Sequence, residues 1–108
     1  MENRDVITVS ELKSLLDKRQ PINLIDVREA KEYALCHLDG SVLMPLGELP
    51  GRISELDVNS EYIVYCHTGH RSARAVEYLK KCGVAKARNL LGGIDAWAQL
   101  SDPSMARY

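Results

Sequence analysis

The sequence predicts an α/β fold: an open, mostly parallel five-stranded sheet with helices on both faces. Three observations lead there. Short apolar runs alternate with amphipathic helical patterns along most of the chain, as strand–helix–strand units do. One run, YIVYC (62–66), is apolar without interruption, which suits a central strand covered on both sides. Helix signals punctuate the runs. Thr8 followed by Glu11 forms a capping box, and Lys80 and Lys81 precede the stop at Gly83.

The elements follow in order. VIT (6–8) reads as a short first strand. In the helix after it, Leu12, Leu15 and Leu16 line one face at i, i+3 and i+4. INLIDV (22–27), behind Pro21, is a buried strand, and REAKEYAL (28–35) a short helix. SVLMP (41–45) is the next strand, and Pro50 opens a short helix with Ile53 and Leu56 turned inward. After YIVYC, the segment SARAVEYLKKCG is helical, with Ala75, Leu79 and Cys82 at i, i+4 and i+7. ARNLL (87–91) is the last strand and GIDAWAQL (93–100) a closing helix.

Composition sets the bounds. At 108 residues, 45% apolar and 27% charged, the chain reads as one domain over 1–100. SDPSMARY (101–108) has no pattern and reads as a C-terminal surface extension. Fourteen basic against fifteen acidic residues give a net charge of -1, which points to neither nucleic acid nor membrane as partner. The three cysteines, Cys36, Cys66 and Cys82, lack disulfide-framework spacing, which fits a reducing compartment. The N-terminal stretch MENRDVITVSELKSLL has no apolar core of a signal peptide. No apolar run approaches the roughly 18 residues of a membrane span. A cytoplasmic setting is the expectation.

Cys66 ends the central strand, and a helix begins a few residues later. In open α/β sheets, ligands bind beyond the carboxyl ends of the strands. A helix start offers unpaired N–H groups and partial positive charge, which favour an anion. With His67, His70, Arg71 and Arg74 nearby, the thiol should ionise below its free value of about 8.5. No Ser–His–Asp order is legible, and the distant His37 in CHLDG shows no orienting partner. A cysteine activated by main-chain amides needs no general base and can take up a group whose carrier leaves as a stable anion.

The segment CHTGHRSARAVEYL, preceded by LIDVREAKEYALCHLDGSVLMPLGEL and followed by NLLGGIDAW, resembles the single-domain rhodaneses, a family of sulfurtransferases. The likeness covers roughly residues 6 to 100, and its tags DVRE (26–29), HLDG (37–40), the Cys66 loop and GGIDAW (92–97) stand in family order. The resemblance implies a rhodanese-like fold without metal or organic cofactor. It implies that Cys66 attacks the outer sulfur of thiosulfate, expels sulfite and holds the sulfur as a persulfide. The loop from Cys66 to Arg71 would curl its amides round that sulfur, and Arg71 would help hold the loop and an anionic sulfur donor. His67, Thr68, Gly69 and His70 would line the site and set donor preference. The acceptor would be cyanide, a thiol or a protein; the alternative is a carrier that relays persulfide sulfur between proteins. Cysteine phosphatases place five residues between cysteine and arginine, whereas four separate Cys66 from Arg71. The tighter ring suits a sulfur atom better than a phosphate.

Other reactive residues have plainer readings. Cys82, on the inward stripe of its helix, reads as core packing. Trp97, with Ala96 and Leu100, reads as core. His37 reads as a hydrogen-bonded structural histidine, and Asp26 with Arg28 as an ion pair of the fold. For Cys36 a resolving or redox role is the minor alternative. Zinc held by Cys36, His37, Cys66 and His67 lacks C-x-x-C spacing.

Overall fold

The computed structural model describes residues 5–108. Five parallel strands form one sheet: β1 (Val6–Ile7), β2 (Asn23–Asp26), β3 (Val42–Leu43), β4 (Tyr62–Tyr65) and β5 (Ala87–Leu90), in the order β1-β5-β4-β2-β3. The principal helices are α1 (Val9–Asp17), α2 (Ala30–Leu35), α3 (Leu49–Arg52), α4 (His70–Lys81) and α5 (Gly93–Leu100). Single 3₁₀ turns, Leu46–Glu48 and Ile53–Glu55, flank α3. All strand pairings are parallel, so the expected "mostly parallel" sheet is wholly so.

Strand alternation makes two cores. Ile25, Val27, Tyr62, Val64, Cys66 and Ala87 face one way and pack with Leu49, Ala75, Val76 and Leu79 of α3 and α4. Leu24, Ile63, Tyr65 and Leu90 face the other way and pack with Leu12 of α1 and Ile94 of α5. The capping box of α1 forms as expected: Glu11 N donates to Thr8 Oγ1 at 3.0 Å, and Thr8 N to Glu11 Oε1 at 2.9 Å.

The strand order positions the site. From β2 the chain moves outward to β3, whereas from β4 it moves the opposite way to β5. The connections therefore diverge between β2 and β4, and a crevice opens at their carboxyl ends. Asp26 stands opposite Tyr65 in the register, so the Cys66 loop and the segment leading to α2 face each other there.

Three expectations need correction. Cys82 is exposed rather than core: α4 ends at Lys81, Cys82 is its C-cap, and the buried stripe is Ser72, Ala75, Val76 and Leu79. Leu100 is also exposed, at the last residue of α5, and Trp97 is only half-buried against the second core. The buried residues of that helix are Gly93, Ile94 and Ala98. The helix expected from residue 28 begins at Ala30, because Glu29 is extended (φ -82°, ψ 160°) and serves as its N-cap, while the N–H of Arg28 is taken by Asp26 Oδ1 at 2.9 Å. No helix among the described residues is long and apolar enough to cross a membrane.

Candidate active site

Cys66 directly follows β4 and is 1% exposed. The loop after it reverses at Gly69, whose φ of 105° suits glycine and which caps α4. The turn brings N–H groups back onto the sulfur. Gly69 N lies 3.1 Å from Cys66 Sγ, Ser72 N 3.4 Å and the Ser72 hydroxyl 3.3 Å. Burial pushes the thiol up, but the Ser72 hydroxyl and the amides of Ser72, Gly69 and Thr68 outweigh it, and Cys66 ionises below the ordinary thiol value. Hydrogen bonds therefore lead the lowering, ahead of the basic side chains that the sequence put forward.

Ser72 is also tied to Asn89 of β5. Its hydroxyl donates to Asn89 Oδ1 at 2.5 Å, and Asn89 Nδ2 donates to Gly69 O at 3.1 Å. A serine hydroxyl carries one proton. With a neutral thiol, that proton can stay on Asn89 while Cys66 donates to Ser72 Oγ; with a thiolate, it can turn to the sulfur. In Ser72→Ala the thiolate loses a donor, so its pKa moves up and the thiolate fraction falls on the acid side of neutrality. Alkylation of Cys66 at pH 6.5 should slow by about threefold to tenfold, read peptide by peptide by mass spectrometry.

The GGIDAW tag acts from below the loop. Ile94 N donates to Cys66 O at 2.9 Å and Asp95 N to His67 O at 3.0 Å. Gly93 permits the approach, with φ at +61°; a Cβ there would lie 2.5 Å from the carbonyl oxygens of both Cys66 and His67. Gly93→Ala should therefore displace the loop and cost about 3 kcal/mol, measured by urea unfolding, with Cys66 alkylation slowed in the fraction that folds.

The remaining expected residues fall as follows. Thr68 and His70 are exposed, with Thr68 Oγ1 3.3 Å from His70 Nδ1. The His67 ring stacks on Tyr108, centroids 4.0 Å apart at 11°, and its Nε2 is buried with no hydrogen-bond partner among the described residues. Arg71 turns to α2, where Nη1 and Nη2 donate to Glu32 Oε1 and Oε2 at 2.8 and 2.9 Å. The hydrogen bonds with Arg71 hold Glu32 well below the usual carboxylate range despite partial burial. Arg71 is raised by Glu32 first and, further down, by the charge on Cys66.

Four groups here escaped the sequence reading: Ser72, Asn89, Glu32 and Tyr108. Ser72 carried a signal, a hydroxyl in the first turn of the helix beside the arginine. Asn89 carried one too, a polar residue inside an apolar strand. Glu32 and Tyr108 arrive only through tertiary structure. Residues 101–108 fold back over the surface, where Met105 packs on the second core and Arg107 pairs with Asp95 at 3.0 Å. Tyr108 Oη donates to Glu32 Oε2 at 2.7 Å and accepts from Arg28 Nη1 at 2.8 Å.

The plainer readings fare differently. Arg28 and Asp26 form a fully buried bidentate pair, with Nη2 2.6 Å from Oδ2 and Nε 2.9 Å from Oδ1. His37 Nδ1 donates to Tyr33 O at 2.9 Å and its ring stacks on Tyr33. Cys36 is half-buried and packs with the core on the opposite side of the sheet from Cys66. Among the described residues, no three His, Cys, Asp or Glu side chains gather as a metal site.

A family model for the rhodanese-like domain matches residues 8–100. YrkF of Bacillus subtilis, which bears the name of a sulfur carrier protein, is 38% identical over 91 residues, covering 84% of this chain and 49% of its own length. A sulfurtransferase of Allochromatium vinosum is 32% identical over 100 residues, covering 93% of this chain and 94% of its own. The crystal structure of a rhodanese-like domain protein from Staphylococcus aureus superposes with a TM-score of 0.84 at 33% identity, covering 96% and 98% of the two chains. The chain spans about half the length of YrkF or less of other curated relatives, such as 26% of MoeZ from Mycobacterium tuberculosis.

Proposed function

The chain belongs to the rhodanese-like domain family, and from that premise we propose that it transfers sulfane sulfur through a persulfide on Cys66. The thiolate attacks the outer sulfur of thiosulfate or a related donor. The donor's S–S bond breaks, sulfite or the corresponding anion leaves with the bonding pair, and Cys66–S–S⁻ remains. A second nucleophile, cyanide in an assay or a thiol in the cell, then takes the outer sulfur and releases the thiolate. The reading rests on one observation: Cys66 Sγ lies against Gly69 N, Ser72 N and the Ser72 hydroxyl, donors suited to an anionic sulfur.

In this reading His67, Thr68, Gly69 and His70 form the wall of the donor site, and Arg71 closes the loop. The chemistry needs neither metal nor organic cofactor. The small substrate is an anionic sulfur donor; the acceptor is a thiol, cyanide or a protein. The three free thiols fit a cytoplasmic setting.

Thiocyanate formation from thiosulfate and cyanide, run beside hydrolysis of an aryl phosphate, tests the reading. Thiocyanate production without phosphate release is the expected result. Cys66-dependent phosphatase activity would count against it. A carrier role is the second reading, favoured by the likeness to YrkF, which bears a sulfur carrier's name. Its mark is a thiosulfate KM far above metabolite levels combined with rapid sulfur exchange with a partner protein.

A further inference from the structure

The guanidinium expected to hold an anionic donor is already occupied. Both terminal nitrogens of Arg71 are on Glu32, a parallel fork that cancels the guanidinium charge at short range. Arg28 is spent on Asp26, Cys36 O and Tyr108. Glu32 is held in turn from every side. Oε1 receives Arg71 Nη1 and Glu29 N at 3.1 Å, while Oε2 receives Arg71 Nη2 and Tyr108 Oη. Its side chain is only 13% exposed. A carboxylate with four donors has little freedom to release Arg71 to an incoming substrate.

Resting on the sulfur-transfer reading above, we propose that Glu32, locked by Tyr108, is a specificity-determining residue that turns the site against doubly charged donors such as thiosulfate and toward the persulfide of a small thiol, R–S–SH. The amides and the start of α4 stabilise one negative charge, that of the thiolate or of the persulfide it becomes. A dianion adds two more and meets a neutralised Arg71. The persulfide's sulfane sulfur has no sulfonate beside it. Cys66–S⁻ attacks its outer sulfur; one S–S bond forms, one breaks, and R–S⁻ leaves with the bonding pair, giving Cys66–S–SH with no external oxidant or reductant. Small donors fit because the tail walls the loop: Tyr108 covers the His67 ring and Arg107 is anchored on Asp95. Tyr108 is the positioning residue in this arrangement and acts through Glu32.

Two readouts test this on the full chain. The first is alkylation of the Cys66 peptide by neutral iodoacetamide and by anionic iodoacetate, which reports the charge at the mouth without any sulfur chemistry. Glu32→Gln should raise the iodoacetate-to-iodoacetamide rate ratio about tenfold. Tyr108→Phe, which keeps the ring on His67 and removes the hydroxyl, should raise it less but in the same sense. The second is the ratio of kcat/KM on thiosulfate to that on N-acetylcysteamine persulfide, which should favour the persulfide in the native chain and move toward thiosulfate in both variants. Unchanged or falling ratios overturn the proposal, as does a native preference for thiosulfate. If Glu32→Gln does not fold, Tyr108→Phe decides by the same criteria. Failure of both donors to add sulfur to Cys66 would sink the sulfur-transfer reading and this donor assignment together, whereas the alkylation ratio judges the charge role of Glu32 separately.

Discussion

Cys66→Ala is expected to lower thiocyanate production at least about a thousandfold. The alanine cannot form the persulfide, and no other thiol is placed to replace it. Cys82 is exposed beyond α4, and Cys36 packs against the other side of the sheet. The fold should survive. The side chain is small, and the loop is held by main-chain bonds from Ile94 and Asp95 to the carbonyls of residues 66 and 67. A native circular dichroism spectrum with activity lost is the signature. An alanine variant that keeps more than a few per cent of activity would move the chemistry elsewhere.

The largest expected effect on stability is that of Arg28→Ala, about 3–5 kcal/mol by urea or guanidinium unfolding. Arg28 and Asp26 have no exposed side-chain surface. Burial pulls Arg28 down, but the bonds to Asp26 and Tyr108 prevail, and it stays charged with its pKa raised. Removing it strands a buried carboxylate and also frees Cys36 O and Tyr108 Oη. That loss is a large part of the stability of a domain this size. A double change, Arg28→Met with Asp26→Asn, should cost clearly less than Arg28→Ala, because no isolated charge remains. Equal losses in the two variants would mean that packing rather than charge pairing supports this corner.

The strands and α5 were legible because each depends on local pattern. GIDAWAQL begins where GG ends and runs Gly93–Leu100, and YIVYC is buried throughout. Helix faces were harder. Cys82 fits the period of α4, yet the helix stops at Lys81 and Cys82 is its exposed C-cap. Leu100 is likewise exposed at the end of α5. The sulfur's setting was half legible: a cysteine at a strand end before a helix announces an anion site, but the donors on it are the Gly69 and Ser72 amides and the Ser72 hydroxyl, which an asparagine seventeen residues further on holds in place.

Arg71 shows the limit of linear reading. Its place after the loop says only that a guanidinium is near the sulfur. That the guanidinium faces α2, and that Glu32 is itself held by Tyr108, depends on strand order and on a tail without periodicity.

The central claim is that Cys66, ionised among main-chain and Ser72 donors, is the sulfur acceptor. Peptide mass spectrometry after brief exposure to a sulfane donor tests it most directly. The account predicts one added sulfur atom on the Cys66 peptide, removed by cyanide and absent in Cys66→Ala. An unmodified Cys66 peptide with every donor, or an adduct on Cys36 or Cys82 that persists in the alanine variant, would contradict it.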